Sequence, residues 1–491
     1  DLGERTVRFF ELLLGKEMEV KSIDNIQKKP LLYDVVIYPE KTLVQMEILE
    51  GLELGEKQYI CCNTKAMADE VFALIGRRFP NLKVMLFTSE TSTDAAQARF
   101  VENLNEEVKN YDVLIASPSL GTGADISVEH FDTIYGFAQN CGDDAGSPDD
   151  FRQQLARVRT TKNGEAHIWV DITKRDEITD VTRIRQGILD NWKDEGLRLN
   201  RDLSKGRYAE DDIYIELASL VRSQRAKATN DFRNDLIAGL LSEGIESIRL
   251  YNGNQEAANE LRKETKELRK AAKEARINAV VNASLNEATS PEEKPRTQAQ
   301  RAANTKLRII RQYGIEEGEV TSALVKADEK GLFSKVRMLA SLREVWYAEE
   351  KDRAERNELM VADRNYWTLK AALLKEAFAA AGVELHNPMA QVKPGVAFII
   401  WARANQERIE RLLGVKLRDD LEKAPVKMVA TLLSRVGLKL VAERKGKGGA
   451  ERRYKLDQEQ LSQMLRFSDY RIEVETPKSR RRAISELLMV L

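Results

Sequence analysis

Several things are scarce in this chain, and each scarcity removes a class of function. Cysteine occurs only three times in 491 residues, too few for a disulfide framework. Cys61 and Cys62 are adjacent and lack the paired C-x-x-C spacing of a zinc site. With Cys141 they read as core thiols of a reducing cytoplasm. Histidine is equally rare: His130, His167 and His386 have no neighbours suggesting a metal site or a triad, so structural roles are expected of them. No apolar run approaches the ~18–20 residues that cross a bilayer, so no membrane partner is expected. No G-x-x-x-x-G-K-[ST] phosphate loop occurs, and no internal repeat is visible. Charge of one sign is also lacking: the net of −1 does not point to any class of partner.

What is present is apolar enough for real cores, at 42% hydrophobic and 32% charged residues. The length suggests about three domains at roughly 150 residues each. Residues 51–171 alternate strand and helix. Short apolar runs at 58–62, 83–87, 112–116, 133–137 and 166–170 are separated by helical patterns at 64–77 and 148–158. That alternation predicts βαβ units around a parallel sheet. Residues 178–247 turn mostly helical. Residues 255–276, rich in Glu, Lys, Arg and Ala, suit a solvated helix held by i,i+4 pairs or, as the alternative, a short coiled-coil arm. Residues 286–303 carry Ser-Pro and Lys-Pro and read as a linker. Helical periodicity resumes through 305–381.

Near the C-terminus a helix is predicted over 425–436, with Pro425 in its first turn and Gly437 just past its end. Strand-like pieces follow at 438–443 and 451–456, joined by the basic, Gly-rich 444–449. Helix, strand, basic hairpin, strand is the outline of a winged helix. Between Lys423 and Lys455 ten Lys/Arg face two Asp/Glu, a patch suited to phosphate backbones. Lys427, Arg435, Arg444, Lys445, Lys447, Arg452 and Arg453 are therefore candidate nucleic-acid contacts. Arg480, Arg481 and Arg482 form a weaker basic cluster in the tail.

Two stretches carry the chemistry. Residues 113–125 run from a buried strand into the Gly-punctuated Ser117-Pro-Ser-Leu-Gly-Thr-Gly-Ala-Asp125. Residues 153–159 read Gln-Gln-Leu-Ala-Arg-Val-Arg and are followed by the strand His167-Ile-Trp-Val170. A strand-to-loop turn exposes N–H groups and a hydroxyl to phosphate, and glycine permits close approach. Thr64 opens the helix after the first strand, where it serves as an ordinary cap or as part of a phosphate site. Thr88 and Ser89 follow the second strand. Asp143, Asp144, Asp149 and Asp150 suit a polar loop before a helix better than a metal site.

Together, these stretches resemble the fifth and sixth motifs of superfamily 2 helicases. Residues 31–175 look like the second lobe of the herpesvirus-type origin-binding helicases and, more closely, of cyanobacterial plasmid replication proteins. The resemblance implies an α/β RecA-like lobe with a parallel sheet, followed by a mainly α-helical region and a small C-terminal winged-helix-like domain. The implied divisions are 1–50, a connector from an N-terminal lobe before Asp1; 51–175, the lobe; 176–285, helical with the charged helix; 286–304, linker; 305–385, helical; 386–470, winged helix; and 471–491, basic tail. It further implies ATP and Mg²⁺ as cofactors, in a site completed by residues outside this chain. Arg157 would be the finger that offsets charge on the γ-phosphate, with Gln153 and Arg159 beside it. Gly123 and Asp125 would face the nucleotide, and Ser117 and Thr64 would grip the strand. The chain departs from the superfamily at Ala156, where Gly is usual. Arg159 also follows Arg157 by two residues rather than three, which makes Arg157 the better finger. The expected function is the C-terminal part of an ATP-dependent DNA helicase or replication initiator of a plasmid or phage, acting on single-stranded and duplex DNA. The alternatives are a non-enzymatic DNA-binding replication protein with a relic lobe, and a helical interaction protein.

Overall fold

The computed structural model describes residues 33–92, 94–120, 124–142, 146–198, 213–245, 247–251, 255–387, 389–445 and 451–477, with a few positions among residues 7–19. Its first part is built from β1 (Asp34–Tyr38), α1 (Lys41–Glu53), β2 (Gln58–Cys62), α2 (Lys65–Arg78), β3 (Val84–Phe87), α3 (Ala95–Glu102), α4 (Leu104–Glu107), β4 (Val113–Ala116), β5 (Thr133–Ala138), α5 (Pro148–Leu155) and β6 (Glu165–Val170). There follow α6 (Val181–Arg198), α7 (Ile213–Asn230), α8 (Phe232–Ser242), β7 (Ile248–Leu250) and α9 (Gln255–Asn282). The second part is α10 (Gln298–Tyr313), α11 (Ser322–Asp328), α12 (Leu332–Arg343), α13 (Val345–Glu358), α14 (Trp367–Ala381), α15 (Val396–Ala404), α16 (Gln406–Leu413), α17 (Pro425–Ser434), β8 (Leu440–Lys445), β9 (Glu451–Leu456) and α18 (Gln458–Glu475). These elements form two compact units, residues 1–181 with 219–305 and residues 182–218 with 306–491.

The first unit holds a seven-stranded sheet in the order β3-β4-β2-β5-β6-β1-β7, with every pairing parallel. The five expected strands are present within a residue or two. The sheet also reaches outside 51–175: β1 lies in the stretch read as a connector, and β7 in the stretch read as helical. β1 was overlooked because a short apolar run has no period of its own, and β7 because three residues carry too little pattern.

A parallel sheet covered on both faces needs apolar residues at both parities. In β2, Tyr59 and Cys61 join one core with Leu114, Ala116, Ile134 and the helix residues Phe100, Phe151 and Leu236. Ile60 and Cys62 join the other core with Val113, Ile115, Tyr135, Val44 and Val71. The two cysteines therefore point to opposite faces and act as small core residues, with burial pushing the Cys61 thiol up to about 12. Gly136 in β5 has a packing reason. A Cβ there would lie 2.8 Å from Ile168 Cγ2 and 3.0 Å from Phe151 Cζ.

The charged helix α9 is not simply solvated. Ala258, Leu261, Ile277 and Val280 are buried, and α9 packs on α1 and α2. Its charges hold it there: Glu264 meets Arg77 and Arg78, Arg262 meets Glu40, and Arg269 meets Glu70. The stretch read as a linker is likewise fastened. Thr289 N–H donates to Asn304 Oδ1 at 2.9 Å, and Arg301 pairs with Asp94 at 2.6 Å.

In the second unit, α17 begins at Pro425 and is followed by Gly437 at φ +72°, matching the start and stop read from sequence. β8 and β9 form an antiparallel hairpin, and Val392 bridges antiparallel to Tyr454 on its outer side. α14 packs on α15, α16 and α17. No helix among the described residues is long and apolar enough to cross a membrane.

Candidate nucleic-acid and nucleotide edge of the sheet

In a parallel sheet, ligands collect at the carboxyl ends of the strands, where the direction of the crossovers reverses. After β2 the chain moves by way of α2 to β3, toward one edge. After β5 it moves by way of α5 to β6, toward the other. The reversal thus falls between β2 and β5. There Asn63 and Gln139 lock the strand ends together: Asn63 Nδ2 donates to Gln139 O at 2.8 Å, and Gln139 N–H donates to Asn63 Oδ1 at 2.9 Å. Asn140 beside them donates through Nδ2 to Thr173 O and Thr229 O, both at 2.8 Å. Sequence reasoning missed both asparagines. Their one signal was amide side chains just after each central strand, at position 63 and at positions 139 and 140.

The two chemistry-bearing stretches meet over the face of the sheet lined by Tyr59 and Cys61. Ile126 N–H donates to Arg157 O at 2.8 Å, and Ile126 bridges to Val158 in parallel register. Asn105 steadies the first stretch, donating to Asp125 O at 3.1 Å and accepting from Ser127 N–H at 2.9 Å. Asp125 and Arg159, both expected at the nucleotide, face each other instead: Arg159 Nε and Nη2 donate to the two Asp125 oxygens at 2.8 and 3.0 Å.

Arg157 differs. It is 8% exposed, and its Nη1 is buried without a hydrogen-bond partner. It lies near enough to Tyr59 and Cys61 for its charge to oppose the rise that burial gives both groups. Beneath it, the Tyr59 hydroxyl donates to Gln154 O at 3.0 Å, and buried Gln154 has an unpartnered Oε1. A buried guanidinium with an uncommitted donor fits an anion such as a phosphate oxygen. Arg159, committed to Asp125, fits it poorly. Gln153, the expected neighbour, is exposed on α5, while Gln154 is the inward glutamine. Helical spacing from Phe151 identifies position 154 as the inner one.

The expected strand-gripping hydroxyls serve local turns. Ser117 is 1% exposed; its N–H donates to Phe87 O at 2.9 Å and its Oγ accepts from Ser119 N–H at 3.4 Å. Thr64 caps α2, accepting from Met67 N–H at 3.3 Å. Thr88 N–H donates to Thr91 Oγ1 at 2.9 Å. Asp150 forms a capping box with Ser147, and Asp149 pairs with Arg152, as suits acidic residues at a helix start. Among the described residues no group of three or more metal-ligating side chains occurs. His130 Nε2–H donates to Tyr111 O at 2.9 Å, and His167 Nδ1 meets the Tyr38 hydroxyl at 2.7 Å. Gly123, Asp143, Asp144, Lys447, Arg480, Arg481 and Arg482 lie outside the described residues.

In the second unit Lys427 is exposed and pairs with Asp420 at 2.8 Å, while exposed Arg435 donates to Gly414 O at 3.3 Å. The hairpin register sets Arg444 opposite Arg452, Lys445 opposite Glu451 and Glu443 opposite Arg453. Arg453 Nε is buried without a partner.

No protein-family model matches the chain. It is 21% identical over 440 residues to an uncharacterized protein of Picosynechococcus sp., an alignment covering 82% of this chain and 42% of that protein. It is 26% identical over 186 residues to a protein of Acanthamoeba polyphaga mimivirus named for replication-origin binding, covering 36% of this chain and 22% of that one. The chain thus spans less than half the length of either curated relative. Among solved structures, Mss116p bound to ssRNA and AMP-PNP overlaps 52% of this chain and 38% of its own, with TM-score 0.27 and 10% identity. The second DEAD-box helicase domain of Mss116p, bound to an RNA duplex, overlaps 45% of this chain and 100% of its own, with TM-score 0.23 and 10% identity.

Proposed function

We propose that this chain is the C-terminal, helicase-type portion of a plasmid or phage replication initiator that binds DNA. The observation that carries the reading is the joining of residues 125–126 to 157–159 over one face of a doubly wound parallel sheet. Two stretches that the sequence pairs as nucleotide and nucleic-acid motifs are hydrogen-bonded to each other there. The mimivirus relative named for origin binding supports the same direction.

In this reading, residues 51–175 with β1 and β7 form a RecA-like lobe. The N–H groups at the start of α2, around Thr64, with the Ser117 hydroxyl, meet the phosphate backbone of the strand, and Arg157 meets the γ-phosphate through its free Nη1. ATP and Mg²⁺ belong to the reading only with a phosphate-loop lobe beyond this sequence. Bound there, ATP would drive closure on DNA. The region 386–470 acts as a winged helix: the Val392 bridge, α15 and α16, α17 and the β8–β9 hairpin follow in that order, with α17 and the hairpin on duplex DNA.

A second reading is favoured by one observation: Asp125 and Arg159 are committed to each other. It takes the lobe as a relic scaffold in a non-enzymatic DNA-binding protein. Fluorescence-anisotropy titration of duplex DNA at several salt concentrations tests the common ground. With Arg444, Lys445, Lys447, Arg452 and Arg453 changed to Gln, binding weakens and the log–log salt slope falls by about 0.9 for each phosphate no longer neutralised. Binding that ignores these changes refutes the winged-helix assignment. DNA-stimulated ATP hydrolysis by the chain joined to its upstream lobe, lost on Arg157→Ala, separates the first reading from the second.

A further inference from the structure

The second unit contains a group of cations that neither reading uses. Arg337 of α12, Lys351 of α13 and Arg471 of α18 converge on a small aromatic group. Arg337 Cζ lies 4.7 Å from the Trp367 ring centre and 5.9 Å from that of Phe333; Arg471 Cζ lies 5.3 Å from the same Phe333 ring. Lys351 Nζ lies 5.1 Å above the Tyr347 ring. Two guanidiniums therefore share one phenyl ring, with an ammonium close by.

The anionic side of this group is short of charge. Glu475 is shared between Lys351 and Arg471. Glu355 is occupied by Asn365 N–H at 2.6 Å, Asn365 Nδ2 at 2.9 Å and Trp367 Nε1 at 2.7 Å. Three polar atoms are buried with no hydrogen-bond partner: Arg337 Nε, Arg471 Nε and the hydroxyl of Tyr347, itself 1% exposed. Buried donors left unpaired are costly, and a carboxylate on a neighbouring helix is the usual remedy. Burial, reinforced by the charges of Arg337 and Arg471, brings Lys351 down to about 8. The lysine and Arg471 retain partial access, at 21% and 15% side-chain exposure.

We propose that Arg337, Lys351, Arg471 and the Tyr347 hydroxyl form a binding site for a phosphate group. Planar guanidiniums held by aromatic faces present their edges in fixed directions, as recognition of a tetrahedral oxyanion requires, and the lysine adds a point charge. A phosphate would relieve the repulsion among the three cations and occupy the orphan donors. The ligand is either the terminal phosphate of a nucleic acid or a small phosphate ester. The site is independent of the hairpin and of the sheet edge, so it stands or falls separately from the proposed function.

The test titrates the full chain with sodium phosphate, using sodium chloride at matched ionic strength as the control. Thermal unfolding and tryptophan emission are followed, Trp367 lying against Arg337. Phosphate should give a saturable rise in melting temperature and a change in emission that chloride does not reproduce. Lys351→Gln and Arg471→Gln should each weaken phosphate binding roughly tenfold or more, while Lys351→Arg stays close to the parent. An identical response to chloride, or unchanged affinity in Lys351→Gln, overturns the site. If the glutamine variants do not fold, Tyr347→Phe removes only the hydroxyl, and unchanged phosphate affinity in that variant overturns the site equally. Competition by a 5′-phosphorylated oligonucleotide but not its unphosphorylated form identifies a nucleic-acid end. Competition by a free sugar phosphate alone identifies a small ligand. Both results uphold the phosphate site.

Discussion

Changing Glu70 to Gln should loosen α9 from the first unit. Glu70 lies on α2 with its side chain 1% exposed. Its carboxylate accepts from Lys41 Nζ at 2.8 and 3.1 Å and from Gln45 Nε2 at 3.0 Å, and it pairs with Arg269 on α9. Breaking a fully buried ion pair costs ~3–5 kcal/mol. Here Lys41 is 27% exposed and Arg269 55%, so solvent screens part of the loss. About 2 kcal/mol is the reasonable expectation, which corresponds to roughly 30-fold faster opening. Hydrogen exchange of peptides covering 255–282 reads that opening directly. The pH dependence has a definite sign. Burial pushes the Glu70 carboxyl up, but the charge and hydrogen bond of Lys41, the Gln45 hydrogen bond and the charge of Arg269 outweigh it, and the net direction is down from 4.5. A depressed carboxyl stabilises above its unfolded value, and that stabilisation fades as pH falls through the folded one. The gap between parent and Glu70→Gln should therefore be full at pH 7 and shrink below about pH 4.5. Equal exchange in both proteins at pH 7 would refute the reasoning.

Gly136→Ala should destabilise the first unit by ~1–3 kcal/mol, because the new methyl meets Ile168 and Phe151 in a closed core. Urea unfolding followed by far-UV circular dichroism checks this, and an unchanged midpoint counts against it. Asp352→Ala should cost about 2 kcal/mol in the second unit. Asp352 accepts from the N–H groups of Trp367 and Thr368 at 2.7 and 2.9 Å at the start of α14, and truncation leaves both unpaired in a buried place. Its signature is a lower melting temperature reported by tryptophan emission.

The sequence by itself determined the parallel sheet, because central strands buried on both faces must be apolar at nearly every position. Runs such as 58–62 and 113–116 stand out for that reason. Pro425 and Gly437 marked the ends of α17 because their constraints are local. The spacing of Ser117, Asp125, Arg157 and Arg159 was legible as well. Which of these residues remain available to a ligand was not, because availability depends on partners distant in the chain. Arg159 is taken by Asp125, 34 residues earlier, whereas Arg157 keeps a buried, unspent donor. Tertiary structure alone added β1 and β7 to the sheet, where both strands pair with each other and β1 with β6. It also made α9 a packed helix, since Glu70, Glu40 and Arg78 lie up to 222 residues from their partners on it. The convergence of Arg337, Lys351 and Arg471 has the same origin: three helices bring together charges that no local pattern relates.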